Sequence, residues 1–224
     1  LLFEVRRVPP ELEMLEAALE ELGERCAGFI LEPLVQGAAG MKMHSVEFLK
    51  GAREALSGRG LPLIADEVMT GFGRTGRNFG VDHFGVVPDI LVSGKGLGGG
   101  YAPICGLFTH EAIVSAMAEA GDELMFFTYG AHTGSCAAAD KVLEIMERES
   151  LVARAEAMGR KLRARLGKLE GHPHVAEIRG RGLMLGVEFV KDRDGLEPFA
   201  KEDNFTARVV AAGLATWAGG QGPS

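Results

Sequence analysis

An α/β fold with a mostly parallel sheet is predicted by two features of the sequence. Short, continuous apolar runs recur along the chain, and segments with helical periodicity separate them. A continuous apolar run is typical of a parallel strand that is covered on both faces. Alternation of strands with helices produces repeated βα units, which place their strands side by side in one direction.

Each predicted element follows from its local pattern. Leu12, Leu15, Leu19 and Leu22 recur at helical spacing with acidic residues between them, which indicates a surface helix with one buried stripe. Ser45 is a favourable N-cap for the next helix. Strands are predicted at residues 1–8, 26–31, 61–66, 89–93, 104–109, 175–179 and 183–190. Helices are predicted at residues 11–23, 45–56, 110–120, 135–149, 151–169 and 204–212.

The order of elements changes in the last third of the chain. After His172-Pro173 two predicted strands follow one another and a helix comes next, which favours a smaller α+β domain. We therefore predict a large domain over residues 1–149 and a small one over residues 150–224. The first residue is Leu rather than Met and the chain ends in Gly-Gly-Gln-Gly-Pro-Ser, so a fragment of a longer protein is expected.

Composition narrows the class of protein. The 224 residues are 46% hydrophobic and 25% charged, as in soluble globular proteins, and the net charge of −7 argues against nucleic-acid binding. Cys26, Cys105 and Cys136 are scattered without CxxC spacing, which favours reduced thiols and a cytoplasmic location, and no metal site is predicted. No apolar run reaches the ~20 residues of a membrane helix, and no signal peptide is recognisable.

The chemistry is concentrated between Leu63 and Gly100. A first apolar run in this stretch ends at Asp66, and a second ends just before Lys95. Ligands of open α/β sheets bind outside the carboxyl ends of the strands. We therefore expect Asp66 and Lys95 to contact opposite parts of one ligand.

Asp66 is suited to a cationic partner because a carboxylate at the end of a buried strand is partly desolvated. A protonated ring nitrogen is one such partner. Val68 points to the same side of the strand, where it could pack on the face of a flat ring. The alternative is that Asp66 only caps a turn. Glu67 points to the opposite side, where a structural or a solvent-facing role is expected.

Lys95 lies between Gly94 and Gly96, which let the backbone approach a ligand closely. Removal of its amine from water would favour the neutral, nucleophilic form that a Schiff base requires. The alternative is an exposed surface lysine. Residues 94–99 also match the bare G-x-G-x-x-G dinucleotide pattern, but a strand rather than a helix is predicted after them. A phosphate-binding P-loop is excluded because Gly96 stands where Ser or Thr is required.

These residues resemble the signature of class III, pyridoxal-phosphate-dependent aminotransferases. The similarity is carried by IADEVMTGFGRTG at 64–76, PDI at 88–90 and GKGLGGG at 94–100. Further segments that resemble the family are Glu32-Pro33 with Gln36-Gly37, TYGAH at 128–132 before CAAA at 136–139, and RGRGLM at 179–184. The resemblance runs in order along nearly the whole chain.

The resemblance implies a fold-type I architecture and pyridoxal 5'-phosphate as cofactor. It implies that Lys95 binds the cofactor covalently and moves the substrate proton, that Asp66 holds the pyridine nitrogen protonated, and that Val68 packs on the ring. Thr128 would reach the cofactor phosphate of a neighbouring subunit, which implies a homodimer with the active site at the subunit interface. The expected reaction is ping-pong transfer of an amino group from an amine or amino acid to a keto acid.

Alternatives within the resemblance are an aminomutase, a decarboxylase or an epimerase of the same fold, or an inactive truncated relative. Ala38 stands where family members that use ω-amino substrates often have a glutamate, which argues against ornithine or 4-aminobutyrate as the substrate. Arg179 and Arg181 could bind a substrate carboxylate or serve a structural role. His132 could line the edge of the cofactor, or it could take no part in the site.

Overall fold

The computed structural model describes residues 3–121 and 127–218, and the side chains among them up to residue 214. Its helices are α1 (Leu12–Leu22), α2 (Val46–Ser57), α3 (Glu111–Ala120), α4 (Thr133–Arg148), α5 (Leu151–Leu166) and α6 (Phe205–Ala218). Its strands are β1 (Phe29–Leu31), β2 (Val35–Gln36), β3 (Lys42–Met43), β4 (Leu63–Asp66), β5 (Ile90–Ser93), β6 (Gly106–Thr109), β7 (Val175–Arg181) and β8 (Met184–Phe189). No helix within the described ranges is long and apolar enough to cross a bilayer.

The main sheet has the strand order β1–β4–β5–β6. The first two pairings are parallel, with Ile30 opposite Ile64 and Ile64 opposite Ile90. Strand β6 runs antiparallel to β5 and closes that side of the sheet. The prediction of an α/β protein with a mostly parallel sheet is therefore confirmed.

One face of the main sheet carries the hydrophobic core. Helices α1 and α2 supply Leu15, Leu19, Leu49 and Leu56, which cluster with Leu63 of β4. Ser45 caps α2, because its hydroxyl accepts a hydrogen bond from the Phe48 amide at 3.0 Å. The predicted N-cap is thus confirmed, and it starts the helix that covers this face.

The opposite face of the sheet is open in this chain. Ile30 is 58% exposed and Leu107 is 63% exposed, although both lie on strands of the sheet. The expectation of strands covered on both faces is therefore not met among the described residues. Periodicity indicated apolar strands correctly, but only the packing of other segments decides whether a face is covered.

Two segments differ from their predicted structure. The predicted strand at 1–8 is wrong for residues 3–8, which form neither helix nor strand and are mostly exposed; residues 1 and 2 lie outside the described ranges. A strand needs a neighbour for its backbone groups, and this segment has none in the sheet. The loop after Glu32 contains a short antiparallel pair, β2–β3, in which Val35 lies opposite Met43.

The described chain separates into two compact units. One contains residues up to 162 together with 179–185, and the other contains residues 163–178 and those from 186 onward. Within the second unit the rings of Phe199 and Phe205 stack at 3.8 Å, and His174 packs against both. The domain boundary expected near residue 150 concerns the whole protein and stays a prediction.

Candidate active site

The ends of β4 and β5 lie side by side. Asp66 is opposite Val92 in the parallel register, and the Glu67 amide donates a hydrogen bond to the Val92 carbonyl at 2.8 Å. Lys95 follows β5 by two residues, so the carboxylate and the lysine belong to the same edge of the sheet. This is the edge at which open α/β sheets bind ligands.

Asp66 is half-buried at the end of its strand. Its Oδ1 accepts a hydrogen bond from the Val68 amide at 3.1 Å, so the carboxylate does cap the turn that follows. Val68 is also half-buried, and a Cβ built on Gly94 would lie 3.6 Å from its Cγ1. The side chain of Val68 therefore lies against the backbone that leads into Lys95.

Lys95 has an unusual backbone conformation for a residue with a side chain. Its φ of +38° falls on the left-handed side of the map, at the start of a short 3-10 turn over Lys95–Gly98. The next residue must be small, because a Cβ on Gly96 would lie 2.9 Å from the Cβ of Phe72. Such strained conformations concentrate at functional sites.

The side chain of Lys95 is exposed, and its amine contacts the sulfur of Met69. The desolvated environment expected from the sequence is therefore not present around this amine in the described chain. A lysine at a strand end is buried only if other segments cover the edge of the sheet. A local apolar pattern in the sequence indicates burial of the strand itself and carries no information on those other segments.

For Glu67 the sequence left two roles open, a structural one and a solvent-facing one. Its side chain is fully buried and accepts hydrogen bonds from the amides of Gly80 at 2.8 Å and Val81 at 2.9 Å, and from the Thr70 hydroxyl. Burial raises the pKa of this carboxyl, and the three hydrogen bonds act in the opposite direction. The structural role is confirmed and the solvent-facing one is wrong.

The segment around β2, from Glu32 to Gly37, approaches the same edge. Glu32 Oε2 accepts a hydrogen bond from the Gly37 amide at 3.0 Å. A Cβ on Gly37 would lie 3.1 Å from the terminal methyl of Met69, so this glycine is packed against the methionine that contacts Lys95. Neither contact was predicted from the sequence, because the partners are separated by five and by thirty-two residues.

Thr128 lies in an exposed turn before α4. Within residues 3–121 and 127–218 no hydrogen bond joins it to Asp66, Val68 or Lys95, so the chain does not bring it to the other predicted site residues by direct bonding. His132 is the N-cap of α4, where its Nδ1 accepts a hydrogen bond from the Ser135 amide at 3.2 Å. The structure therefore gives His132 a capping role.

Arg179 connects distant parts of the chain. Its Nε donates to the Met41 carbonyl at 3.0 Å and its Nη2 donates to the Gly40 carbonyl at 2.6 Å. These bonds support the structural role considered for it. Arg181 is exposed. Within the described ranges no group of three or more metal-ligating side chains is present.

An apolar cavity lies beside the turn that carries Lys95. Its volume is about 610 Å³, and its wall includes Phe72, Gly96 and Gly99 as well as residues of α4 and α5. That volume is in the range of small-molecule sites. The turn is therefore bordered by open space rather than by a filled core.

Fold and site together define a class of protein. An open α/β sheet whose neighbouring strand ends present a carboxylate, an apolar side chain and a strained lysine between glycines is typical of enzymes in which a lysine binds a carbonyl cofactor. Comparison with known proteins identifies the family. Residues 6–223 match the model of the family "Aminotransferase class-III". The chain belongs to this family.

Proteins similar to this chain are named as aminotransferases or transaminases. Adenosylmethionine-8-amino-7-oxononanoate aminotransferase of Staphylococcus aureus is 38% identical over 85% of this chain and 43% of its own length. The 4-aminobutyrate aminotransferase GabT of Escherichia coli is 36% identical over 84% of this chain and 42% of its own length. The crystal structure of a thermostable (S)-enantioselective omega-transaminase from Thermomicrobium roseum superposes with a TM-score of 0.81, at 41% identity over 85% of this chain and 43% of that one. The chain spans less than half the length of these relatives, and its fold is the fold-type I architecture of such transaminases.

Proposed function

We propose that the full-length protein is a pyridoxal-phosphate-dependent aminotransferase. It transfers an amino group from an amine or amino acid donor to a keto acid in a ping-pong cycle. The observation that carries this proposal is the position of Asp66, Val68 and Lys95 at one edge of the sheet, after β4 and β5, within the motifs of a class III aminotransferase. The alternatives of an aminomutase, decarboxylase or epimerase have no feature of the chain in their favour.

The residues present fit this cofactor. The half-buried Asp66 carboxylate suits a protonated ring nitrogen, and Val68 offers an apolar surface beside it. Lys95 has no carboxylate partner within the described ranges, so its amine is available to a carbonyl carbon. Bound pyridoxal phosphate would supply that carbonyl and a protonated ring that withdraws electrons from the substrate.

Each residue then has a distinct role in the proposed reaction. Lys95 would hold the cofactor and would carry the proton to and from the substrate carbon. Asp66 would keep the ring nitrogen charged, and its bond to the Val68 amide fixes the direction of the carboxylate. Val68 would offer an apolar surface to the ring. Glu67 contributes from outside the site, because it holds the loop that carries Val68.

The exposure of Lys95 and Thr128 supports a site completed by other parts of the assembly. We propose a homodimer in which Thr128 reaches the cofactor phosphate of the partner subunit. The atoms that shield Lys95 would come from the cofactor, from the half of the protein that this chain does not span and from the second subunit. The proposed cytoplasmic location rests on the three free cysteines alone.

Substitution of Lys95 by Ala tests the proposal on the full-length protein. The wild-type protein with cofactor is expected to absorb visible light and to retain the cofactor after borohydride reduction, whereas Lys95→Ala should lose both properties together with turnover. Lys161→Ala removes an exposed lysine on α5 and should behave as wild type. A Lys95→Ala protein that still forms a reducible covalent link would refute the assignment.

A panel of amino donors would establish the reaction and its substrate. Two of the relatives are named for S-adenosylmethionine and for 4-aminobutyrate, so the panel should contain both compounds and simple primary amines, with pyruvate or 2-oxoglutarate as acceptor. Formation of a new amino acid from the acceptor supports transamination. Consumption of the donor without amination of the acceptor would favour the other reactions of this fold. Cofactor titration of the 224-residue chain alone would show whether this part of the protein binds it.

A further inference from the structure

Met69 is the side chain that the amine of Lys95 touches. It follows Val68 directly and is half-buried, whereas Lys95 is exposed. Lys95 forms no ion pair within residues 3–121 and 127–218, so the thioether sulfur is the polar atom that faces its amine in this part of the chain. A thioether accepts hydrogen bonds weakly compared with an amide or carboxylate oxygen.

The position of Met69 is restricted from the other side. A Cβ on Gly37 would lie 3.1 Å from the terminal methyl of Met69 and 3.3 Å from its Cγ. Gly37 is itself tied by the hydrogen bond from its amide to Glu32 at 3.0 Å. Contacts therefore run from Glu32 through Gly37 and Met69 to Lys95, and a side chain at position 37 would displace the methionine.

We propose that Met69 is a positioning residue for Lys95. It holds the amine at the mouth of β5 by contact with its sulfur, and a thioether holds the amine less firmly than an amide oxygen would. The proposal rests on the proposed function in one respect only, namely that Lys95 is the reacting amine. The contact itself belongs to the protein without cofactor.

Two substitutions of similar size separate this role from a general effect on folding. Met69→Gln places an amide oxygen, a stronger acceptor, near the amine, whereas Met69→Leu removes the acceptor and keeps the apolar volume. The amine should therefore be less reactive in Met69→Gln and more reactive in Met69→Leu than in the wild type. Structural damage alone would move both variants in the same direction.

The measurement is acetylation of the cofactor-free full-length protein by trace acetic anhydride at a fixed, mildly alkaline pH. Peptide mass spectrometry would give the labelling of Lys95 relative to that of exposed Lys161 in the same sample. We expect a change of about three-fold in each direction, which is at the lower end of the effect of one hydrogen bond. The same substitutions at exposed Met14 on α1 should leave the ratio unchanged.

Gly37→Ala tests the restriction on Met69. The new methyl group should displace the end of the methionine, and labelling of Lys95 should move in the direction of Met69→Leu. In the double variant Gly37→Ala/Met69→Leu the two effects on the labelling of Lys95 should not add, because both substitutions act through the contact between Met69 and Lys95. Additive effects would show that Gly37 acts on Lys95 by another route and would overturn that part of the proposal.

The outcomes distinguish this inference from the proposed function. If wild-type protein binds cofactor covalently but the Gln and Leu variants label like wild type, or shift in the same direction, the positioning role of Met69 is refuted. If labelling shifts in opposite directions but no cofactor attaches to Lys95 in wild type, the positioning role stands and the proposed function fails.

Discussion

Burial of the Glu67 carboxylate is the residue-scale feature that organises the loop after β4. Two backbone amides and one hydroxyl surround it, and their residues lie three to fourteen positions further along the chain. A buried carboxylate is stable only when its oxygens are occupied by donors. The loop from Val68 to Val81 therefore has to fold around Glu67, which fixes the neighbouring Val68 and Met69.

Glu67→Gln is expected to lower the free energy of unfolding by about 2–3 kcal/mol, because the amide nitrogen of Gln is a donor facing backbone donors. Burial raises the pKa of Glu67 above its ordinary value, so its folded form takes up a proton first. The contribution of this group to stability is therefore complete below the ordinary pKa and falls as pH rises through the raised one. Urea unfolding of the wild type and of Glu67→Gln at several pH values should show a difference in the free energy of unfolding that widens as pH falls from neutrality. A difference that does not depend on pH would contradict this account.

His44 is a second buried polar residue, and unlike Glu67 it is buried without hydrogen bonds to its polar atoms in the described chain. It is 9% exposed and stacks on Phe48 with ring centroids 5.6 Å apart, and neither ring nitrogen has a hydrogen-bond partner in the described chain. Burial lowers the pKa of His44, while the Glu32 backbone, which approaches the ring without meeting hydrogen-bond geometry, and the Glu32 charge act to raise it. The ring is therefore neutral and unsatisfied, which costs stability.

His44→Phe should raise the free energy of unfolding by roughly 1–3 kcal/mol at neutral pH, because two unsatisfied atoms are removed and the ring remains. Since the folded pKa of His44 is lowered, the wild type loses stability as pH falls below the ordinary histidine value, and the variant should not show this loss. Thermal unfolding between neutral and mildly acidic pH would measure both effects. A less stable His44→Phe protein would indicate that the site has no room for the added carbon.

At the scale of elements, a close backbone contact joins α5 to the turn between β7 and β8. A Cβ on Gly159 of α5 would lie 2.2 Å from the Gly182 carbonyl oxygen, and a Cβ on Gly182 would lie 2.3 Å from the Thr75 carbonyl carbon. The Leu183 amide also donates to the Arg74 carbonyl at 3.1 Å. Helix, turn and loop are packed here through backbone atoms, which only glycine permits.

Gly159→Ala is expected to destabilise the protein by about 2–3 kcal/mol, although alanine is the better helix former by about 1 kcal/mol. The reason is that the methyl group meets backbone atoms, which cannot turn away. The matched control is Gly213→Ala in α6, where a Cβ would meet nothing within 4 Å, and this change should be neutral or stabilising. Urea unfolding of both variants measures the difference. Equal stability of the two would disprove the close contact.

At the scale of the whole molecule, the main feature is the open face of the main sheet, where apolar side chains are exposed. The exposed Ile30 and Leu107 lie on the same face as Ile64 and Asp66, as the register of the four strands shows. A contiguous apolar face of this kind marks a surface that binds another segment or protein. The chain spans less than half the length of its relatives, and we predict that a segment of the full-length protein outside this chain covers the face.

The 224-residue chain is therefore expected to bind the dye ANS strongly, and the full-length protein to bind it weakly. The double change Ile30→Thr and Leu107→Thr should reduce dye fluorescence of the chain several-fold, and it should destabilise the full-length protein because the face is then buried. Fluorescence titration and thermal unfolding check the two halves of this prediction. Strong dye binding by the full-length protein would show that the face stays open.

The sequence by itself determined the local structure and the chemistry of the site. Period and turn residues predicted the helices and the central strands, and a carboxylate and a lysine at successive strand ends predicted one shared edge, because the ends of parallel neighbours coincide. The alternation of side chains along β4 also predicted that Glu67 points to the other side of the strand from Asp66. These inferences depend on local patterns and on the general rule that neighbouring parallel strands end at one edge.

The tertiary structure alone decided which side chains meet across long stretches of chain. It buried Glu67 under Gly80 and Val81, joined Arg179 to the carbonyls of residues 40 and 41, and left one face of the sheet and the amine of Lys95 exposed. A local pattern determines the direction of a side chain but not the atoms that it meets. Those atoms are set by the packing of segments far apart in sequence, and for Lys95 we infer that they include atoms outside this chain.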